Sequence, residues 1–515
     1  MDQKKEDVVH AENLEHVNSV DRYHDDIEAI KGRDLVVDDD ARGYVDPNLI
    51  ITDEENKKMR WKIHKRVLPL MCLAYITQAL DKGTLGPASI MGWQESVGAK
   101  GQDYALTSTM LWAGIIAGEP IANQLVRKLP LGKLLGTAMM IWTALLIGLA
   151  FSLTIPPVFA IRFLLGFFES LFGPVLLSIT VQWYLKDEQP FVSSIWQSML
   201  GLSNVIMSFF GFVFYHIKGK AAGLVGWQWL FITVAIISFC AAIITFLFLP
   251  DSPTRARFLT EQEKVKYVER VRSNGQGLKH KVFKKDQAWE AFKDPYTYLL
   301  FALALFNTLV VGGINTFSSL LINKAFGFNV MESNLLSMPL GAMVVLTYMI
   351  QAYLVTKTKQ TLLVMIGTVI PNIIGSVMLI TIAPKTNTRG VLIFAFYLMQ
   401  FFQSTNPSIF SLLSRNVSGQ TKKSITYAST YIAWAGGNAI ASQLFQSKWA
   451  PRYLNSLYIH LGLYGCFIIT CIVTRTLLVL RNKKKEAAMS SEDNTNSRAF
   501  EDLTDIQNPE FRYAL

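Results

Sequence analysis

Charge is scarce in this chain: Lys, Arg, Asp and Glu make up only 17% of its 515 residues, while 51% are hydrophobic and the mean hydropathy is positive. That shortage excludes a water-soluble globule, because cores of ordinary size cannot hide so much apolar surface. Cysteine is rarer still. All four, Cys72, Cys240, Cys466 and Cys471, fall inside apolar runs, which excludes a disulfide framework and leaves apolar packing as their expected role. None of the seven histidines falls in mid-run, and no metal-ligand spacing, phosphate-cradling loop or Ser/His/Asp signature is present. Neither a metal, a cofactor, a nucleic-acid partner nor enzymatic covalent chemistry is therefore expected. The first sixty residues contain no apolar core of the kind a cleaved secretory signal needs, so the first long apolar run is expected to serve as the insertion signal.

What the chain has in abundance is long apolar runs. Twelve recur, at 66 to 88, 104 to 126, 134 to 154, 157 to 184, 191 to 215, 227 to 249, 295 to 321, 333 to 355, 362 to 383, 389 to 413, 424 to 446 and 456 to 480. Each is long enough to cross a hydrocarbon core of about 30 Å at roughly 1.5 Å per helical residue. The expected fold is an all-α integral membrane protein of twelve transmembrane helices.

The formal net charge of +10 is unevenly spread, since residues 1 to 60 carry 17 Asp/Glu against 9 Lys/Arg and residues 486 to 515 carry 7 against 2. Those tails read as solvated, and the first sixty residues as disordered. Lysine and arginine gather before span 1 and after spans 2, 4, 8, 10 and 12, at positions such as Arg127, Lys128, Lys133, Lys186, Lys357, Lys359, Arg415, Lys422, Lys423, Arg481 and Lys483 to Lys485. The opposite loops hold fewer, among them Lys218 and Lys220. The positive-inside rule then places both termini in the cytosol, with Lys483 to Lys485 expected at anionic headgroups. It also puts the glycosylation sequon at Asn416 on the cytosolic side, where it has no use.

A polar, basic connector from Pro250 to Asp294 splits the spans six and six, with a helix expected at Thr260 to Arg272. The expected units are a tail at 1 to 60, a bundle at 61 to 249, the connector at 250 to 294, a second bundle at 295 to 481 and a tail at 482 to 515. Two six-helix halves joined by a cytosolic loop point to transporter architecture, with the substrate site between the halves.

Few ionisable groups lie within the spans: Asp81 and Lys82 in span 1, Glu119 in span 2, and Arg162 and Glu169 in span 4. A charge at bilayer depth costs about 2.5 kcal/mol at the least, so its default reading is functional. Counted at about 1.5 Å per residue, Asp81 and Arg162 both lie roughly 8 Å below the outer edge of the core, so Asp81, Lys82 and Arg162 are expected to share a level and pair. Arg162 and Glu169 are seven residues apart, hence on one face of span 4 with Gly166 between them, and that face is expected to line a cavity. Glu169 falls near mid-membrane, where a carboxylate can exchange a proton. The alternative reading is that these are neutralised pairs that merely lock the bundle. Glu119 precedes Pro120 and is equally readable as a carboxylate satisfied by backbone freed at the proline.

The second half supplies amides and rings: Asn307, Gly312, Gly313, Asn315 and Thr316 in span 7, Gln403, Ser404 and Asn406 before Pro407 in span 10, and Tyr431, Trp434 and Asn438 in span 11. Gly-Gly and Asn-Pro are expected to interrupt their helices and turn polar groups toward a ligand, the alternative being close helix packing. Of these, Asn307, Asn315, Gln403, Asn406, Tyr431 and Asn438 join Arg162 and Lys82 as candidate substrate contacts, with Asp81 and Glu169 as candidate proton carriers.

Several segments together resemble the anion:cation symporter family of the major facilitator superfamily, and its fungal allantoate permease branch in particular. They are Leu80-Asp81-Lys82, the Arg162 to Glu169 stretch, the loop Asn416 to Lys423, Pro250 to Leu259, Gly312 to Phe317, and the closing Asp502 to Tyr513. The likeness runs from about 60 to 480 plus the extreme C-terminus. It implies the twelve-helix fold, proton-driven uptake of small organic anions, proton coupling at Asp81 and Glu169, and anion binding at Arg162. Lys82 stands where many members carry arginine, losing a bidentate fork for a carboxylate, and the loop after span 2 lacks the superfamily's usual aspartate.

The expectation is a proton-coupled importer of a small organic anion, monomeric, in the bilayer of a fungal plasma membrane. A weak-acid or drug exporter of the same fold and a nutrient sensor with little flux are the alternatives.

Overall fold

The computed structural model describes residues 49, 51–185, 188–217, 221–272, 284–488, 503–508 and 511–515. The expectation of disorder over residues 1 to 60 falls outside the described residues up to 48, and its end is corrected: Thr52 caps a helix at Asp53–Arg66, its side chain accepting from the Glu55 N–H, that leads into span 1. The charges Lys186, Lys218 and Lys220 lie outside the described residues, as does the side chain of Arg127.

The molecule is a twelve-span helical membrane protein, and three prolines set the course of three spans. Span 1 runs Leu68–Gly83, breaks at Thr84 and resumes over Leu85–Ile90. Pro87 has no N–H to offer the Gly83 carbonyl and crowds it, which is where the helix yields. Span 4 likewise runs Ile155–Glu169 and Phe172–Trp183, with Pro174 four residues past Ser170. Span 10 runs Arg389–Leu398, tightens into a 3-10 turn at Phe401–Ser404 and continues as Thr405–Asn416, with Pro407 four residues past Gln403. The remaining spans are Asp103–Lys128, Leu131–Phe151, Gln189–Tyr215, Gly226–Phe248, Pro295–Leu320, Val330–Thr358, Thr361–Thr381, Gln420–Ala441 and Leu454–Ala488. Span 7 passes through Gly312 and Gly313 without interruption. A Cβ at Gly312 would meet Asn438 Oδ1 at 2.5 Å, so this pair serves close packing on span 11 rather than breaking the helix as expected.

Eight of these helices are long and apolar enough to cross a membrane by composition alone, and the most apolar four are spans 3, 6, 9 and 12. Spans 1, 2, 10 and 11 fail that test. The polar and broken helices are those that carry the candidate site.

Contacts between the halves cluster at the outer ends of the spans. Tyr104 of span 2 donates to the Thr316 carbonyl (2.8 Å), Thr109 to the Ala439 carbonyl (2.8 Å), Gln443 to Thr109 (2.8 Å), and the Ser447 N–H to Gln102 (2.7 Å). The halves are thus tied to one another by hydrogen bonds on the outside.

Each half has its own cytosolic clamp. In the first, the connector helix Glu261–Arg272 sets the buried Arg270 against Glu188 (2.6 and 2.8 Å) and Asn56 (2.6 Å), while Tyr267 donates to the Met59 carbonyl (2.6 Å). Asp251, just past span 6, accepts from the N–H groups of Gly132 (3.0 Å) and Lys133 (3.3 Å), capping span 3. A carboxylate thus reaches the loop whose own aspartate is missing.

In the second half Lys422 is fully buried among Asp505 (2.7 Å), Asp294 (2.8 Å) and Glu290 (3.0 Å), and Arg481 joins Asp294 (2.6 Å). Asp505 belongs to the C-terminal segment expected to be solvated. Residues 503–508 and 511–515 instead dock on the bundle: Asn416 exchanges hydrogen bonds with Ala514 (2.8 and 2.7 Å), and Tyr513 donates to Asp505 (2.9 Å). The segment buys its place with a buried aspartate and aromatic rings that have a matching surface to meet. Lys485 correspondingly donates to the carbonyls of Asp505 and Asn508 (2.6 Å to the latter) and lies over the Phe511 and Tyr513 rings, away from the headgroup role expected of it.

Candidate functional site: a charged centre facing aromatic rings

Asp81 and Lys82 sit in the last turn of the first part of span 1, immediately before its break, where Thr84 donates to the Asp81 carbonyl (2.7 Å). Adjacent helical residues point about 100° apart, so the two charges cannot face one partner. Lys82 reaches Glu169 (Nζ to Oε1, 2.5 Å), and the same oxygen accepts a hydrogen bond from Gln78. The side chain of Lys82 leans toward the helix N-terminus, as helical side chains do, and so runs inward to the deeper carboxylate. The expected common pairing of Asp81, Lys82 and Arg162 is therefore corrected: Lys82 pairs with Glu169.

Asp81 lies in the electrostatic field of Arg162, Glu169 and Lys82. Yet Asp81 Oδ1 and two guanidinium nitrogens of Arg162, Nε and Nη2, have no hydrogen-bond partner among the described residues. Arg162 is only 2% exposed. A buried guanidinium with unspent donors has the chemistry to hold an anion, because leaving such donors bare is costly and a carboxylate fits their fork.

Gly166, between Arg162 and Glu169, does not line a cavity as expected. A Cβ there would lie 1.9 Å from the Leu111 carbonyl oxygen, and Gly114 and Gly118 of span 2 are equally tight against Phe163 and Phe167. Small residues draw spans 2 and 4 into backbone contact and fix the height of both charges. Glu119 is half-buried in an unbroken span 2, within electrostatic reach of Tyr427 and Tyr431 of span 11.

Two of the amides expected from the second half, Asn307 and Asn438, are spent inside it. Asn307 is fully buried and donates to the Phe402 carbonyl (3.1 Å) and Thr405 (2.5 Å), bracing the 3-10 turn of span 10. Asn438 donates to the Trp434 carbonyl (2.8 Å). Gln403 is buried and Asn406 half-buried with its Oδ1 lacking a partner, while Asn315 is exposed near the outer end of span 7.

Aromatic rings fill the place of the amides. Lys82 Nζ lies 5.0 Å from the Trp112 ring centroid, Trp112 meets Trp434 edge-on at 5.0 Å across the two halves, and Trp434 packs on Tyr431 at 5.2 Å. On the first half Tyr75 packs against Phe172 (5.6 Å) and Trp196 (5.2 Å). Gln78, Trp112 and Tyr75 are absent from the sequence-based set. Gln78 is four residues before Lys82, one helical turn away, which was the available signal.

Twelve spans in two bundles around a charged centre define the class, a membrane transporter rather than an enzyme. The family model of the Major Facilitator Superfamily matches residues 71–480, and the chain belongs to that superfamily, among its fungal permeases. Allantoate permease of Saccharomyces cerevisiae is 31% identical over 482 residues, covering 90% of this chain and 88% of that protein. Thiamine pathway transporter THI73 of the same yeast is 32% identical over 480 residues, covering 92% and 90%. The inward open conformation of the xylose transporter XylE from E. coli has a TM-score of 0.61 at 14% identity, covering 79% of this chain and 94% of that one, a likeness of fold.

Proposed function

We propose that this transporter imports a small organic anion together with protons across a fungal plasma membrane, acting as a monomer by alternating access. The observation that carries the reading is Arg162, buried beside Asp81 with donors unspent, nearly two turns along the same face of span 4 from a Glu169 already held by Lys82 and Gln78. The anion's carboxylate would take the Arg162 donors. A proton on Glu169 would dissolve its ion pair and free Lys82 for the anion, so that proton and substrate enter one neutral arrangement. The name of the yeast allantoate permease, an organic-anion carrier, supports the substrate class.

Glu169→Gln tests the coupling. It is expected to abolish uphill accumulation driven by a proton gradient while sparing exchange of internal for external substrate. Undiminished uphill uptake in that variant would remove Glu169 from the coupling role.

A further inference from the structure

Resting on the anion reading above, we infer that the two halves divide the substrate between them, and that the second half selects a flat, conjugated body rather than a hydroxylated one. The first half offers charge at the centre, Arg162 and Lys82, which fits the acid end. In the second half the amides of spans 7 and 11 are turned to other work: Asn307 is consumed by Phe402 and Thr405, and Asn438 by the carbonyl of Trp434, while span 10 keeps Gln403 and Asn406, whose Oδ1 has no partner among the described residues. That last bond is informative. Asn438, seated against Gly312, fixes the turn that carries Trp434, so the polar residue positions a ring instead of addressing a ligand.

What remains at the middle is a run of half-buried rings, Trp112, Trp434 and Tyr431, beginning under the Lys82 ammonium and ending near Gly173 of span 4, where a Cβ would lie 4.0 Å from the Tyr431 hydroxyl. Indole and phenol faces reward a planar partner through offset stacking and edge contacts, and they leave hydroxyl groups without partners. A polyol would need more amides than Gln403 and Asn406 of span 10, since Asn307 and Asn438 are already used. Trp434 and Trp112 are therefore specificity-determining residues, and the substrate class is a carboxylate conjugated to, or attached to, a flat π system.

Binding to the full-length protein in nanodiscs, measured by thermal shift titration, tests this with three acids: benzoate, cyclohexanecarboxylate and gluconate. Benzoate and cyclohexanecarboxylate share size and charge and differ in flatness. The wild-type protein is expected to bind benzoate about tenfold more tightly than cyclohexanecarboxylate, and gluconate most weakly. Trp434→Leu is expected to bring the first ratio to about one, whereas Trp434→Phe, which keeps a ring, retains most of it. Cyclohexanecarboxylate binding by Trp434→Leu reports that the variant is folded; if it is not, the Trp434→Phe and Trp112→Leu ratios decide. Equal affinities for benzoate and cyclohexanecarboxylate in the wild type, or a ratio unmoved by loss of either ring, would overturn the inference and leave the anion reading standing. If no acid binds at any concentration, the anion reading itself falls.

Discussion

At mid-membrane the first half presents Asp81, Lys82, Arg162 and Glu169, whereas the second presents the rings of Tyr431 and Trp434, with Asn307 and Asn438 turned inward. At the cytosolic ends the contrast is smaller but of the same kind. The first half holds one buried arginine, Arg270, against one carboxylate and an amide, while the second holds a buried lysine, Lys422, among three carboxylates. In both clamps every charge has its partner. At the centre of the first half, by contrast, the buried Arg162 keeps two donors unspent among the described residues, and on the proposed reading that difference separates charges that hold the fold from charges that wait for a ligand.

The largest effect that bears on this contrast is expected from Arg162→Ala. Two charge-assisted hydrogen bonds to a carboxylate together contribute roughly 3 kcal/mol, so uptake should fall about 100-fold or more. Unchanged uptake kinetics in membranes of equal protein content would mean that Arg162 is structural, and the contrast with the clamps would be lost.

Lys422→Met should act on stability rather than on substrate. It leaves three carboxylates buried with only Arg481 to face them, a loss of about 3–5 kcal/mol by the measure of other broken buried pairs, read as a lowered Tm and detachment of the C-terminal segment. Burial would raise the pKa of Asp294, but Arg481 and Lys422 outweigh that and hold it low. A depressed aspartate contributes stability above its unfolded pKa and loses it as pH falls through the folded one, a window below about pH 5. The wild-type pairing at Asp294 should therefore hold undiminished from about pH 5 to 8, and the Tm difference between wild type and Lys422→Met should be plain at about pH 7.

The smallest effect belongs to the first clamp. His64, stacked on Tyr184 at 5.5 Å, has its pKa lowered chiefly by burial, with Glu188 opposing. Its neutral form is favoured by the fold, so its contribution is present above pH 6.5 or so and is lost as pH falls toward the depressed value. A slight fall in Tm between pH 7 and 5.5 is expected, and His64→Phe should remove it. A steeper dependence in the second half than in the first would reverse the comparison.

Much of this was legible in the sequence. Twelve apolar runs give the twelve spans within a few residues, and the rarity of charge inside them draws attention to Asp81, Lys82, Arg162 and Glu169. Depth counting could not assign partners, because it tracks height and ignores the turn of about 100° between Asp81 and Lys82. The glycines were ambiguous for a related reason: Gly166 and Gly312 lie where helices touch, and only the neighbour's backbone tells packing from opening. The docked C-terminus was the hardest to foresee. Its acidic, polar composition matches a solvated tail, and its few anchors, Asp505, Phe511 and Tyr513, matter only because Lys422 and Lys485 lie opposite.

That docked segment also bears on how the protein is made. Lys422 opens span 11 and is synthesised well before Asp505, so during translation its buried charge has only Glu290 and Asp294 for company, and the cytosolic face of the second half stays unfinished until the chain has passed through span 12 and turned back. A nascent protein truncated after span 12 but before Asp505 would carry all twelve spans and still display an open ionic seam to the cytosol, a ready mark by which quality control can tell an incomplete copy from a finished one.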